Sequence, residues 1–141
     1  MKMNQNVTLS ITIPCFNEAE SLPILISELE KIVVMNNLNL KDKKDIEIIL
    51  VNNGSIDNTK EIINQASSEF EFIKGIHIKK NIGYGNGIFK GLISSSSDYS
   101  GWTHADLQTE LNDLIKALNI IQKNKTNNKI FIKGIRIGRK V

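Results

Sequence analysis

The sequence has little of what marks secreted and membrane-spanning proteins. Cys15 is the only cysteine, which excludes an intrachain disulfide and a zinc site built from cysteines. No apolar run approaches the roughly 18 residues needed to cross a bilayer, and the opening MKMNQNVTLS is too polar for the apolar segment of a secretory signal. We therefore expect a cytoplasmic protein, either free or lying peripherally at the inner face of the membrane.

A dense block of one charge is also missing. The 18 basic and 15 acidic residues give a formal charge of +3, and the lysines are spread along the whole chain. This spread does not indicate nucleic acid and is only a weak hint of an anionic ligand or surface. With 141 residues, 40% of them hydrophobic, the chain is expected to form a single domain over 1–141 with its core at about 9–135.

Short apolar runs alternate with segments of helical periodicity. Strands are predicted at 9–15, 46–51, 72–78, around 99–105 and at 129–135. Helices are predicted within 17–37 and at 59–70, 87–97 and 110–124, and Asp57 is expected to cap the second of them. Strands that alternate with helices of this length indicate right-handed βαβ units, and thus an α/β fold whose mostly parallel sheet has helices on both faces.

Polar or glycine-rich loops accompany the predicted strands: PCFNE, NNGSIDN, NIGYGNG, HADLQ and KGIRIGR. Ligands of open parallel sheets bind at the carboxyl ends of the strands, so these loops describe a nucleotide-sized pocket. The first turn has no glycine, which excludes the G-x-G-x-x-G dinucleotide fingerprint at its required place. A phosphate-binding G-x-x-x-x-G-K-[ST] loop is absent from the sequence as well.

Five blocks of the sequence carry a resemblance to a known family. They are ITIPCFNEAESLPILI, IEIILVNNGSIDNTKEII, KNIGYGNGIFKGL, ADLQTE and KGIRIGR. In order and spacing they resemble the nucleotide-sugar-binding part of family 2 glycosyltransferases, in particular the polyprenyl-phosphate (dolichol-phosphate type) sugar transferases. The resemblance covers about residues 9 to 140 and implies a Rossmann-like GT-A fold, cut short before the acceptor-binding half.

The resemblance implies a binding site for a UDP- or GDP-sugar. In the family the segment matching Pro14, Phe16 and Glu18 holds the base and ribose, and VNNGS at 51–55 usually reads Val-Asp-Asp-Gly-Ser. From the residues alone, Glu18 fits a helix first turn equally well, and the glycine-rich block fits a structural turn. The implied nucleotide-sugar-binding residues are Pro14, Phe16, Glu18, Val51, Asn53, Asn81, Gly83, His104, Ala105 and Asp106.

A divalent cation, Mn²⁺ or Mg²⁺, is also implied by the resemblance. The family motif Asp-Ala-Asp-Leu-Gln reads HADLQ here, so Asp106 and Gln108 match the residues that reach the metal, while His104 replaces the first aspartate. An imidazole can ligate Mn²⁺ but suits Mg²⁺ poorly, and a histidine without a catalytic task fits this position as well. We expect weak cation binding that occurs mainly together with a diphosphate.

The implied catalytic residues are Asp106, Arg136 and Arg139. With Lys133, the two arginines match a basic segment that lies near the diphosphate and the acceptor in the family, and a solvated basic tail is the alternative. The implied reaction is inverting transfer of a sugar to a polyprenyl phosphate or a cell-surface glycan.

Family members continue beyond the point matching Val141, and two other functions are therefore open. One is a non-catalytic nucleotide-sugar-binding module, or a remnant that works with a membrane-associated partner. The other is an α/β scaffold without a ligand.

Overall fold

The structure, a computed structural model, describes residues 7–126, 129–135 and 137. In this part of the chain strands and helices alternate: β1 (Val7–Cys15), α1 (Leu22–Met35), β2 (Lys44–Asn53), α2 (Thr59–Glu69), β3 (Ile73–Ile78), α3 (Tyr84–Ser94), β4 (Ser97–Trp102) and α4 (Asn112–Lys123). The strand order is β3-β2-β1-β4, and every pair of neighbours is parallel. The predicted α/β fold with a parallel sheet is confirmed.

The two faces of the sheet differ in chemistry. On one face, alternate apolar residues of the central strands join the apolar sides of α1, α2 and α4 in the main core, with Ile11 of β1 and Ile48 of β2 at its centre. On the other face β1 presents the buried polar residues Ser10 and Thr12, and α3 packs there against β1 and β2. Because β1 and β2 are covered on both sides, all of β1 and most of β2 are buried, as expected for the inner strands of a parallel sheet.

Close packing explains why α3 forms from a glycine-rich sequence. Its residues include Gly85, Gly87 and Gly91, which have low helix propensity. A Cβ at Gly87 would lie 3.2 Å from the side chain of Asn53, and one at Gly91 would lie 2.8 Å from the Cβ of Thr12. The missing side chains therefore allow α3 to approach the sheet closely, and tertiary contacts outweigh the local preference.

The observed boundaries of α3 differ from the predicted range of 87–97. The helix begins at Tyr84 rather than at Gly87, directly after Gly83, whose φ of 90° is readily adopted only by glycine. It ends at Ser94, since β4 already begins at Ser97 and pairs with β1.

The predicted fifth strand is wrong. Residues 129–135 form no strand, and Phe131 and Ile135 are 85% and 82% exposed. A strand requires a neighbouring edge that accepts and donates its backbone hydrogen bonds, and these residues pair with none of the four strands of the sheet. Apolar alternation in the sequence identified a segment suited to a strand but could not supply the partner.

None of the helices in the described part of the chain combines the length and the apolarity required to cross a bilayer.

Candidate functional site

A cleft of approximately 250 Å³ lies at the carboxyl ends of β1 and β2, beside the start of α3 and the loop after β4. Separate segments of the chain contribute its lining, which consists of Pro14, Cys15, Phe16, Glu18, Asn53, Asn81, Tyr84, His104, Ala105 and Asp106. This rim is where open parallel α/β sheets bind their ligands. The topology of the sheet thus brings together side chains up to 92 positions apart, from Pro14 to Asp106.

The predicted nucleotide-sugar-binding residues all line this cleft except Val51 and Gly83. Val51 is fully buried within β2, and Gly83 borders the cleft through a hydrogen bond to Asn53. Two lining residues, Cys15 and Tyr84, were not predicted. Both stand inside the loops singled out from the sequence, and only the fold shows that they border the cleft.

Asn53 joins the loop after β2 to the loop after β3. Its Nδ2 donates to the carbonyl of Gly83 at 3.1 Å, and its Oδ1 accepts from the N–H of Ile82 at 3.1 Å. Asn81 tightens the same loop by accepting from the N–H of Gly83 at 2.8 Å. An aspartate, usual in the family, could accept from Ile82 but could not donate to Gly83, so the amide has a structural task here.

Glu18 and Asp57 organise the loop after β1. The Oε2 of Glu18 accepts from the hydroxyl of Ser21 at 2.6 Å, so its carboxylate is bound at the start of α1 while it also lines the cleft. Asp57 accepts from the N–H of Ala19 at 3.1 Å and from the N–H of Thr59 at 3.0 Å. The hydroxyl of Thr59 donates to the same carboxylate and is the main cause that lowers the pKa of Asp57. The N-cap of α2 is Asn58, which makes no side-chain cap hydrogen bond, so the prediction that Asp57 caps this helix is wrong; Asp57 instead binds Thr59 across a tight turn.

Tyr84 and His104 form a pair on the cleft wall. The Tyr84 hydroxyl lies 2.9 Å from His104 Nδ1, and the two rings stack with centroids 5.7 Å apart and planes 11° apart. Partial burial raises the pKa of Tyr84, and the negative charge of Asp106 raises it further. The phenol is therefore protonated at neutral pH.

Asp106 is the only carboxylate that the loop after β4 brings to the cleft among the described residues. Its side chain is exposed, and its Oδ1 accepts from the backbone N–H of Gln108 at 3.2 Å across a turn in which Leu107 has a φ of 61°. The side chain of Gln108 is exposed and does not line the cleft. The structure therefore links Asp106 and Gln108 by a hydrogen bond to the backbone of Gln108. It does not bring the two side-chain oxygens together in the cleft.

The donor set limits how a divalent cation could be held. Across 7–126, 129–135 and 137, no three side chains of His, Cys, Asp or Glu come together as a metal-binding group. This arrangement does not fit a site closed by protein ligands. It does fit an ion that takes one carboxylate from Asp106 and completes its shell with water and substrate phosphates, as Mg²⁺ commonly does.

Cys15 is buried at the base of the cleft. Burial raises the pKa of its thiol strongly, and the nearby charge of Glu18 adds to the effect. The thiol is therefore protonated at neutral pH and unsuited to act as a nucleophile.

The predicted basic residues at the end of the chain do not contribute to the described cleft. Arg136 and Arg139 lie outside the described residues. Lys133 is described and exposed, and it is not part of the cleft lining.

Fold and site together define a class of protein. An open parallel α/β sheet with a polar cleft at the carboxyl ends of its strands is typical of proteins that bind nucleotides and related phosphorylated ligands. The profile of the family described as Glycosyl transferase family 2 matches residues 10–137. The chain belongs to glycosyl transferase family 2, which confirms the resemblance found in the sequence.

Two curated relatives illustrate the likeness. A dolichyl-phosphate beta-glucosyltransferase of Dictyostelium discoideum is 31% identical over 140 residues, which cover 93% of this chain and 40% of the relative. An undecaprenyl-phosphate 4-deoxy-4-formamido-L-arabinose transferase of Shewanella sediminis is 36% identical over 110 residues, covering 77% of this chain and 31% of the relative. The chain therefore spans well under half the length of these relatives.

Solved structures show the same fold at low sequence identity. TarS 1-349 from S. aureus in complex with UDP-GlcNAc has a TM-score of 0.67 and 18% identity over 84% of this chain and 32% of its own. A mannosyltransferase from Pyrobaculum calidifontis in complex with GDP-Man and Mn²⁺ has a TM-score of 0.60 and 17% identity over 80% of this chain and 32% of its own. These similarities establish the GT-A fold of the chain.

Proposed function

We propose that the cleft binds a UDP- or GDP-sugar and that the chain supplies the donor-binding part of an inverting glycosyltransferase. The observation that carries this proposal is the convergence of residues from four loops, among them Glu18, Asn53, Asn81 and Asp106, at one rim of the sheet. They lie in the sequence blocks that resemble the nucleotide-sugar-binding part of the family, and all four fall within the residues that the family profile matches. The UDP-GlcNAc and GDP-Man in the two solved structures of the same fold support the ligand class.

A polyprenyl phosphate is the proposed acceptor. Two of the curated relatives are named for transfer involving dolichyl phosphate and undecaprenyl phosphate. The phosphate oxygen of such a lipid is already anionic at neutral pH, so it can attack the anomeric carbon without a protein base. A bond forms between that oxygen and the anomeric carbon, and the bond to the nucleoside diphosphate breaks. A glycan hydroxyl, the alternative acceptor, would require a carboxylate base.

A lipid acceptor places the reaction at a membrane surface. We therefore propose that the chain works peripherally at the cytoplasmic face, where its formal charge of +3 favours contact with anionic lipids. A membrane-associated partner would also hold the chain at the membrane surface.

A divalent cation would neutralise charge that builds on the leaving diphosphate. Asp106 is the residue proposed to hold it, since its exposed carboxylate lies on the cleft wall. Gln108 would support this role by fixing Asp106 through its backbone N–H. Arg136 and Arg139 remain proposed contacts to the diphosphate.

Two observations favour a second function, a nucleotide-sugar-binding module without turnover. His104 stands where the family has a carboxylate, and the described residues hold no group of three metal ligands. Such a site can retain affinity for the nucleotide sugar while it stabilises the leaving diphosphate poorly.

Calorimetry with UDP-glucose and GDP-mannose, each with and without Mn²⁺, tests the binding proposal. We expect weak Mn²⁺ binding to the free protein and tighter binding when the nucleotide sugar is present. Asp106→Asn should weaken the Mn²⁺-dependent affinity about tenfold or more, because loss of even an outer-shell partner of a metal ligand costs about 10–100-fold in metal affinity. Asp113→Asn is the matched control, because Asp113 pairs with Lys116 on the surface of α4, away from the cleft. Equal effects of the two variants would contradict the role of Asp106.

Turnover separates the two functions. Incubation of the chain with the bound nucleotide sugar and a short polyprenyl phosphate should release nucleoside diphosphate if the chain is a transferase. Binding without release indicates the module instead. If neither nucleotide sugar binds, both functions are wrong.

A further inference from the structure

We propose that Tyr84 is a positioning residue that fixes His104 as a hydrogen-bond donor, through Nε2–H, to an oxygen of the bound nucleotide sugar. The inference rests on the proposed function and assigns a task to two residues that the family motif does not explain. His104 thereby serves the sugar nucleotide directly and is not a ligand of the cation.

The first step is the direction of the hydrogen bond between the two side chains. The Tyr84 hydroxyl lies 2.9 Å from His104 Nδ1. A phenol O–H is more acidic than the N–H of a neutral imidazole, and an imidazole nitrogen is more basic than a phenol oxygen. The O–H of Tyr84 therefore donates and Nδ1 accepts, which leaves the proton of the neutral ring on Nε2.

The second step is the rigidity of the pair. The nearly parallel rings, with planes 11° apart, restrict rotation of the imidazole about its own axis. Tyr84 is the first residue of α3, and that helix is packed against β1 and β2. The backbone of Tyr84 is thus held by a packed helix rather than by a free loop, and its hydrogen bond to His104 is formed before a ligand arrives.

The third step is what remains available for a ligand. His104 lines the cleft, and its Nε2 makes no hydrogen bond to another residue that the structure describes. A metal ligand must offer an unprotonated nitrogen, and the only unprotonated nitrogen of this ring is occupied by Tyr84. An N–H at Nε2, in the same cleft as Asp106, is suited to donate to a phosphate or hydroxyl oxygen of the nucleotide sugar.

The tautomer can be measured without a ligand. The chain has only two histidines, His77 and His104, so the imidazole ¹⁵N spectrum at pH 8 contains two rings, and each is the control of the other. We expect Nδ1 of His104 to be unprotonated in the wild type. Tyr84→Phe keeps the stacked ring but removes the hydroxyl, so the His104 signals should shift towards a mixture of tautomers while those of His77 stay unchanged. A wild-type His104 protonated on Nδ1, or no change in Tyr84→Phe, would overturn the role of Tyr84.

Binding of UDP-glucose in the presence of a chelator tests the donor role. A metal ligand contributes nothing there, whereas a hydrogen-bond donor does. His104→Ala should weaken this affinity about two- to tenfold, the range of one hydrogen bond, and His104→Gln, whose amide N–H stands near the place of Nε2–H, should stay within about twofold of the wild type. Tyr84→Phe should weaken it by less than about twofold, because most of the released rings would still carry the required proton on Nε2.

Two outcomes count against the donor role. One is an unchanged metal-free affinity in His104→Ala together with a loss that appears only with Mn²⁺, which would make His104 a metal ligand. The other is a wild-type chain that binds no nucleotide sugar, which overturns the proposed function while the ¹⁵N measurement still decides whether Tyr84 sets the tautomer.

Discussion

Replacing Gly91 by alanine should destabilise the protein because no room exists for a Cβ between α3 and β1. A Cβ at this position would lie 2.8 Å from the Cβ of Thr12, and closer still to the Cγ2 and Oγ1 of the same residue. Thr12 is 1% exposed and lies on an inner strand of the sheet, and its β-branched side chain has little rotameric freedom. Relief therefore requires a shift of the whole helix.

The expected magnitude follows from two opposing terms. Overpacking in a close-packed interior is worth about 1–3 kcal/mol, and the short contacts place Gly91→Ala at the upper end. Alanine in a helix interior recovers about 1 kcal/mol relative to glycine. We therefore expect the free energy of unfolding to fall by about 2 kcal/mol, measured by urea denaturation.

Gly85→Ala is the matched control within the same helix. A Cβ at Gly85 would meet no atom within 4 Å, so only the helix-propensity term applies, and stability should rise by up to about 1 kcal/mol. In a Thr12→Ala background the loss caused by Gly91→Ala should shrink by about 1 kcal/mol or more, because the two nearest atoms are gone. If Gly91→Ala proves as stable as Gly85→Ala, the reasoning about close approach of α3 is wrong.

Two further predictions concern Asn53 and His77. Asn53→Asp restores the residue usual in the family and should lower the free energy of unfolding by about 1–3 kcal/mol at neutral pH, because a buried carboxylate would face the Gly83 carbonyl to which Asn53 now donates. Denaturation of this variant and the wild type should show a smaller loss of stability in acid than at pH 7. Equal losses at the two pH values would contradict the explanation. Partial burial and the charge of Lys60 lower the pKa of His77, so the folded state binds the proton less readily than the unfolded state. The stability that uncharged His77 contributes is fully present above pH 6.5, and it is lost as the pH falls through the lower pKa of the folded state. Between pH 7.5 and 5, the free energy of unfolding should therefore decrease more steeply with falling pH for the wild type than for His77→Gln. Equal slopes in the two proteins would refute this.

Some features of the cleft were predicted from the sequence, and others were not. The loops that form it were predicted from polar residues that accompany apolar runs, because the carboxyl ends of parallel strands share one edge. The network of Asn53 was not predicted, since a hydrogen bond to Gly83, 30 positions along the chain, depends on how two loops meet. Tyr84 was missed for the same reason: its place in the NIGYGNG block was visible, but its stacking on His104 was not.

Two predictions of secondary structure failed because tertiary contacts determine the structure there: the turn at the start of α3 and the strand at 129–135. The glycines at the start of α3 indicated a turn, yet helix forms there because Gly87 and Gly91 allow close packing on Pro14 and Thr12. Residues 129–135 have the composition of a strand but lack a partner edge among the described strands. Local propensity is a small term, and packing or pairing across the chain readily exceeds it.

The sequence by itself determined the α/β class, the mostly parallel sheet, the family and the loops at which a ligand would bind, because apolar periodicity and motif order are properties of the chain alone. Only the tertiary structure decided which side chains enter the cleft and what holds them. Hydrogen bonds and ring contacts between distant loops depend on distances of a few ångströms, and no spacing along the sequence encodes them. The histidine in place of the motif aspartate illustrates this division, since the sequence revealed the substitution and the fold supplied its partner, Tyr84.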